Sequence, residues 1–301
     1  MQLASIILYL NIFMWAVITM SVSFYVLLII SYRRATVRAD QVDYLLIANS
    51  YIALFLSSPF YFDMSLHSIY GQLHPHVSFD GLWCRLKSYA IYVTGSAYFY
   101  SFLFQAIYRF CRIVFPTRPA LRSFRLYAAI SIFQWIFGIL QVFPSLFVGY
   151  IQYLPHDYHC QLAPTDLRGS LVCLSVIFLI PFIATLVCYV CTIYYVRTRS
   201  AALTTLRRSS RVHRDVIILT RLVLVFTFVT TVALPHVLIP IIYAVFGYIP
   251  WWTSPFEWLT TIFSLGCVSI LQMFITPHLK RLSIRPHRPQ VETIRMGNTH
   301  M

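Results

Sequence analysis

Charged residues are scarce in this sequence. Only 11% of its 301 residues are charged and only 9 are acidic, whereas 59% are hydrophobic. An ordinary soluble domain carries about 25% charged residues. A water-soluble protein of this length could not hide so much apolar surface, so the composition excludes that class and indicates a bilayer environment.

The first 20 residues, Met1–Met20, contain no charged side chain at all. A secretory signal normally starts with basic residues and ends at a cleavage site of small residues. We therefore expect the first apolar run to be a retained membrane span.

Internal repeats, low-complexity tracts and a soluble domain are also missing. No Cys/His group has the spacing of metal ligands, and no span carries a His/Asp/Glu cluster suited to acid–base chemistry. We accordingly expect neither a metal nor a cofactor, and we expect no enzymatic activity.

The apolar runs are what the sequence has in abundance. A spanning helix needs about 20 mostly apolar residues. Seven segments satisfy this length: Ser5–Tyr32, Tyr44–Ile69, Leu82–Tyr108, Leu126–Tyr150, Ser170–Val196, Val216–Phe246 and Trp251–Ile275.

The basic residues follow the spans in alternation. Of the 23 Lys and Arg, 20 lie in residues 33–38, 109–125, 197–221 and 280–295. Positively charged loops stay in the cytoplasm, so we expect the amino terminus outside and the carboxyl terminus inside. This topology accounts for the net charge of +14 without nucleic acid, although the basic clusters can also contact anionic membrane lipids. It predicts a seven-transmembrane domain over residues 1–275 and a short basic cytoplasmic tail over residues 276–301.

Several landmarks occur in one order along these spans. The third span starts near Cys84 and ends in Tyr108-Arg109-Phe110, and 25 residues separate Cys84 from Arg109. That many helical residues cover about 37 Å, enough to cross a bilayer. The landmarks that follow are Trp135, Pro144, Cys160, Pro181, Tyr189 and Pro235.

This pattern resembles the rhodopsin-like (class A) G-protein-coupled receptors, of which the chain looks like a divergent member. The resemblance implies an all-α bundle of seven transmembrane helices in the plasma membrane. It also implies a receptor that binds an extracellular ligand and activates a cytoplasmic heterotrimeric G protein.

The sequence departs from the family pattern at several places. Tyr108 stands where the family's triplet has an acid, and residues 50–56 lack the intramembrane aspartate. Val232–Pro235 contains no tryptophan, and Val268–Gln272 replaces the Asn-Pro-x-x-Tyr stretch. These departures bear on the usual sodium site and switch rather than on the architecture.

The resemblance implies a disulfide between Cys84 and Cys160. Both cysteines fall on the outer side, where disulfides persist, and the second outer loop contains no other cysteine. Such a bridge would hold that loop over the ligand cavity, and the alternative is a pair of free thiols.

The resemblance also implies a switch around Arg109 and Tyr108. In this hypothesis Asp215 pairs with Arg109 in the inactive bundle, and Tyr189 contacts Arg109 in the active one. The alternative is that Arg109 only snorkels to the interface while Asp215 pairs locally with its neighbour on the same helix. Pro235 is either a hinge or a static kink, since proline removes a helical hydrogen bond in both cases.

The sequence says less about the identity of the ligand than about the fold. Ile91 stands where amine receptors carry an aspartate, and the seventh span lacks the lysine of the opsins. Aminergic and retinal-binding receptors are therefore disfavoured, which leaves a peptide, a lipid or another small molecule, and we slightly favour a peptide. Ile91, His236, Glu257 and Trp258 are the candidate ligand contacts, although aromatic residues near the interface are also ordinary bilayer anchors.

Two other functions remain open at this stage. A membrane transporter would usually show internal repeats and broken helices around a midplane site, and the sequence indicates neither. A membrane protein that has lost signalling is the other alternative, because several switch motifs are degraded.

Overall fold

The computed structural model describes residues 2–33, 41–163, 165–199, 206–232 and 234–275. Within these residues the chain is almost entirely helical. The helices are α1 (Gln2–Arg33), α2 (Gln41–Leu73), α3 (Leu82–Val114), α4 (Phe124–Phe147), α5 (Leu167–Leu174), α6 (Ile180–Arg199), α7 (Leu206–Val232), α8 (Pro235–Phe246) and α9 (Thr253–Ile275).

These helices make seven membrane spans, as predicted. The fifth span consists of α5 and α6 joined by a wide π-helical turn at Ser175–Leu179, and the sixth consists of α7 and α8. Six spans are long and apolar enough to cross a membrane by length and composition alone. The seventh, α3, is more polar because it lies at the centre of the bundle, where it contacts α2, α4, α6 and α7.

Several helix ends differ from the predicted span ends, and two of them are at α3 and α4. The third span was expected to end at Tyr108, but α3 continues to Val114. The fourth was expected to reach Tyr150, but α4 ends at Phe147. Gly149 has a left-handed φ of 81°, which favours glycine and turns the chain out of the helix.

The loop after α4 forms a β-hairpin that the sequence analysis did not predict. Strands β1 (Ile151–Leu154) and β2 (His159–Leu162) pair antiparallel, with Tyr153 opposite Cys160. The predicted disulfide is confirmed: it joins Cys160 to Cys84 near the start of α3, with 5.6 Å between the Cα atoms. We call this side of the bundle the hairpin end, and the opposite side, where α3 finishes, the arginine end.

Two prolines, Pro181 and Pro235, lie beside irregular parts of their spans. The break between α7 and α8 immediately precedes Pro235, which takes the first turn of α8, where its missing N–H costs nothing. The π-helical turn in the fifth span comes directly before Pro181, so the ring does not have to clash with a regular preceding turn.

A buried polar network joins three spans in the middle of the bundle. Trp135 Nε1 donates a hydrogen bond of 3.0 Å to Asn49 Oδ1. Ser50 Oγ and Ser101 Oγ are 2.6 Å apart, and Gln105 Nε2 donates to Ser50 Oγ at 2.8 Å. Because buried polar groups must be paired, these bonds fix the register of α2 against α3 and α4.

Candidate functional site

The four predicted ligand contacts come together towards the hairpin end, beneath the hairpin. Ile91, His236 and Trp258 line one narrow cavity of about 30 Å³. Glu257 and His236 line a neighbouring cavity of about 10 Å³. Four residues from three spans thus meet in one place, although their role as ligand contacts stays a prediction.

His236 is the centre of this group. Its Nδ1 contacts Glu257 Oε1, and its Nε2 lies 2.6 Å from Thr261 Oγ1. The His236 ring meets the Trp258 ring edge-on with 5.1 Å between centroids. A carboxylate in a membrane span needs a partner, so this contact links α8 to α9 directly after the break at Pro235.

Trp258 connects the same group to the hairpin. Its side chain is 1% exposed, and its Nε1 donates a hydrogen bond of 2.5 Å to Gln161 Oε1 on β2. His159 Nε2 lies 3.3 Å from the same oxygen. Sequence reasoning missed Gln161, because a lone glutamine in a loop carries no signal until the hairpin is known.

A larger cavity of about 660 Å³ opens between the hairpin and the ends of α1, α2, α8 and α9. We call it the hairpin-end cavity. Its polar and aromatic lining residues include Gln161, Glu257, Asp157, His156, Tyr248 and Trp251. A cavity of this size is in the range that holds drug-sized ligands.

Asp157, at the turn of the hairpin, fastens that turn to two helices. Tyr9 OH on α1 donates a hydrogen bond of 3.1 Å to Asp157 Oδ1, and Ser68 Oγ on α2 donates one of 2.7 Å to the Asp157 carbonyl oxygen. Burial raises the pKa of the Asp157 carboxyl above its usual range, while nearby His159 and the Tyr9 hydroxyl oppose that rise.

At the arginine end, Arg109 is buried and paired. Its side chain is 6% exposed, and its Nη2 lies 2.7 Å from Asp43 Oδ1 on α2. Arg112 Nη1 lies 3.2 Å from the other oxygen, Asp43 Oδ2. One buried carboxylate therefore binds two consecutive turns of α3 to the start of α2.

The predicted partner of Arg109 was Asp215, and Asp43 was not predicted as a partner. The sequence did contain a feature that could have identified Asp43. The chain has only 9 acidic residues, and Asp43 lies at the start of a span. Tyr108, where the family's triplet has an acid, instead packs edge-on against Tyr127 with centroids 5.1 Å apart.

Asp215 and Tyr189 are the two residues that were predicted to contact Arg109. Asp215 falls in α7, but its side chain lies outside the described residues, so its contact with Arg109 stays a prediction. Tyr189 is half-buried on α6, and its role in receiving Arg109 likewise stays a prediction.

Seven membrane spans, a disulfide-tethered hairpin at one end and a buried arginine at the other define a seven-helix membrane bundle. The family model described as 7 transmembrane receptor (rhodopsin family) matches residues 23–273. The chain therefore belongs to the rhodopsin family of receptors. No curated protein matches it.

Membership confirms the predicted family and the multi-pass membrane architecture. Rhodopsin-like receptors are signalling proteins and generally not enzymes, and their usual partners are an extracellular ligand and a G protein. Their fold alone does not fix which ligand a member takes.

Proposed function

We propose that this chain is a plasma-membrane receptor that binds an extracellular ligand at the hairpin end and activates a heterotrimeric G protein at the arginine end. In this proposal the amino terminus is outside and residues 276–301 form a cytoplasmic tail. The charge asymmetry supports that orientation, because 20 of the 23 Lys and Arg belong to loops and span ends on the proposed inner side. The chain performs no catalysis.

The buried Arg109–Asp43 pair is the observation that carries the proposal. A charged pair held away from water at the end of a span is expensive unless both partners remain satisfied. Such a pair favours one arrangement of the helices and can be exchanged for contacts with a partner protein when the bundle opens. Receptor switching requires two states separated by only a few kcal/mol, and this pair biases that equilibrium towards the closed one.

The arrangement beneath the hairpin supplies a route from the ligand to the switch. Glu257 lines the hairpin-end cavity and also contacts His236. His236 follows Pro235 at the break between α7 and α8. A ligand that disturbs the Glu257–His236 contact therefore acts directly on the helix whose inner part must move.

Replacement of Arg109 by alanine tests the proposal. We expect Arg109→Ala to abolish basal and ligand-driven G-protein activation, because the cation that engages the G protein is lost, while the chain still reaches the cell surface. The measurement is guanine-nucleotide exchange on a panel of G proteins in membranes with quantified receptor. Arg85→Ala is the matched control, since Arg85 is partly exposed at the hairpin end and pairs only loosely with Asp80 at 3.5 Å.

Three results would oppose the proposal. The first is full nucleotide exchange by Arg109→Ala. The second is transport of a substrate across the membrane that persists in Arg109→Ala, while neither the native chain nor the variant promotes nucleotide exchange. That result would favour a transporter. A chain that reaches the surface but drives neither process would be a non-signalling membrane protein.

A further inference from the structure

The hairpin-end cavity is lined by acidic side chains, although the whole chain is basic. The chain carries a net charge of +14, yet two carboxyl-bearing residues, Asp157 and Glu257, line this cavity. Among the described residues its lining contains no Lys or Arg. A cleft lined by one sign of charge concentrates ligands of the opposite sign, so this cavity selects a cationic group.

A second observation comes from Gln161. This side chain is 2% exposed, and its Oε1 already accepts from Trp258 Nε1. Its Nε2 has no hydrogen-bond partner among the described residues, although it carries two donor hydrogens. A buried donor without an acceptor costs about 1–3 kcal/mol, and Gln161 lines the same cavity as Glu257. An acceptor oxygen supplied by a ligand would satisfy this donor.

We propose that the hairpin-end cavity binds the free amino terminus of a peptide, with the α-ammonium group at Glu257 and the first carbonyl oxygen at Gln161 Nε2. A peptide amino terminus carries a cation and an acceptor oxygen two bonds beyond the α-carbon, and capture of terminal amines is a known recognition mode. The inference rests on the proposed function, because it names the ligand class of that receptor.

The two contacts are linked through Trp258. Glu257 is next to Trp258, and Trp258 holds Gln161 through its indole N–H. An ammonium group at Glu257 competes with His236 for the same carboxylate. Binding therefore weakens the link between α8 and α9 while it completes the hydrogen bonds of the hairpin.

The inference is tested by the thermal stability of the purified full chain in detergent, without any G protein. The probes are mixtures of tetrapeptides, and within each mixture the first residue is fixed. Each mixture is used with a free amino terminus and with an N-acetylated one. Simple primary alkylamines are tested beside them. We expect at least one free-amino mixture to raise Tm by about 4 °C or more, as binding to the native state alone should do. The matched acetylated mixture and the alkylamines should raise it far less.

Variants assign the contact. Glu257→Gln should lower the affinity for the active mixture by at least about ten-fold, a difference of 1.4 kcal/mol. Asp80→Asn is the matched control, because Asp80 is an exposed acid outside the cavity and should leave the affinity unchanged. The comparison of free-amino with N-acetylated mixtures uses the native chain. It therefore tests the inference even if Glu257→Gln fails to fold.

Several outcomes overturn the inference: equal stabilisation by free and acetylated mixtures, equal stabilisation by alkylamines, full affinity in Glu257→Gln, or no stabilisation by any mixture. These outcomes are separate from those of the signalling test. A chain that binds the free-amino mixture but activates no G protein keeps this site and loses the proposed function. A chain that signals but fails this test loses only the ligand class.

Discussion

Replacement of Asp43 by asparagine is expected to raise ligand-independent G-protein activation by about ten-fold or more. The Asp43 carboxylate contacts both Arg109 at 2.7 Å and Arg112 at 3.2 Å. Removing one partner of a buried pair costs roughly 3–5 kcal/mol, because the remaining charge is left uncompensated. This cost falls on the closed bundle alone, and even half of it shifts a two-state equilibrium by more than about ten-fold.

The measurement is basal nucleotide exchange at matched surface expression. Asp80→Asn provides the control, because it removes a half-exposed ion pair with Arg85 at the other end of the bundle, and exposed pairs contribute little. Asp43→Glu keeps the charge and should stay nearer the native basal level than Asp43→Asn. Unchanged basal exchange in Asp43→Asn would remove this pair from the switch and leave Asp215 as the remaining predicted partner of Arg109.

Replacement of Gly71 by alanine is expected to destabilise the hairpin end. A Cβ atom at Gly71 would lie 2.1 Å from Cγ of Tyr158 and 2.6 Å from its Cβ, so the whole Tyr158 side chain would have to move. Tyr158 holds a left-handed φ of 58° at the turn of the hairpin, a conformation that tolerates little adjustment. Overpacking of this kind costs about 1–3 kcal/mol, which corresponds to a fall in Tm of roughly 3–10 °C.

Gly81→Ala is the matched control for that substitution. Gly81 also lies at the hairpin end, but a Cβ atom there meets nothing within 4 Å, so Tm should stay within about 1 °C of the native value. Thermal unfolding of the three purified chains in detergent measures the difference. If Gly71→Ala and Gly81→Ala behave alike, the Tyr158 side chain does not hold the hairpin against α2.

The sequence was sufficient for the features that depend on composition and on long spacing. Apolar runs of bilayer length predicted the seven spans, and the positions of Cys84 and Cys160 in the family pattern predicted their disulfide, which is confirmed. The meeting of Ile91, His236, Glu257 and Trp258 was also expected, because residues near the same face of the membrane converge when their spans form one bundle.

The hairpin and the partner of Arg109 could not be predicted in the same way. Residues 151–162 lack a tight-turn dipeptide, and the hairpin depends on tertiary contacts such as the Ser68–Asp157 hydrogen bond. The ion pair with Asp43 depends on how α2 packs against α3, and their relative rotation is not encoded in local periodicity. Gln161 became visible as a candidate only once β2 placed it beside Trp258.

A receptor of this kind must have its hairpin end outside the cell and its arginine end inside, and cysteine labelling can determine the side of each. Cysteine would be introduced at Gly81→Cys, beside the disulfide, and separately at Thr117→Cys, in the loop that follows α3; both positions are exposed. A membrane-impermeant maleimide would then be applied to intact cells expressing each chain, with the native chain as background. We expect labelling of Gly81→Cys in intact cells and labelling of Thr117→Cys only after permeabilisation. Equal labelling of both in intact cells, or the reverse order, would contradict a receptor with its hairpin outside and Arg109 inside.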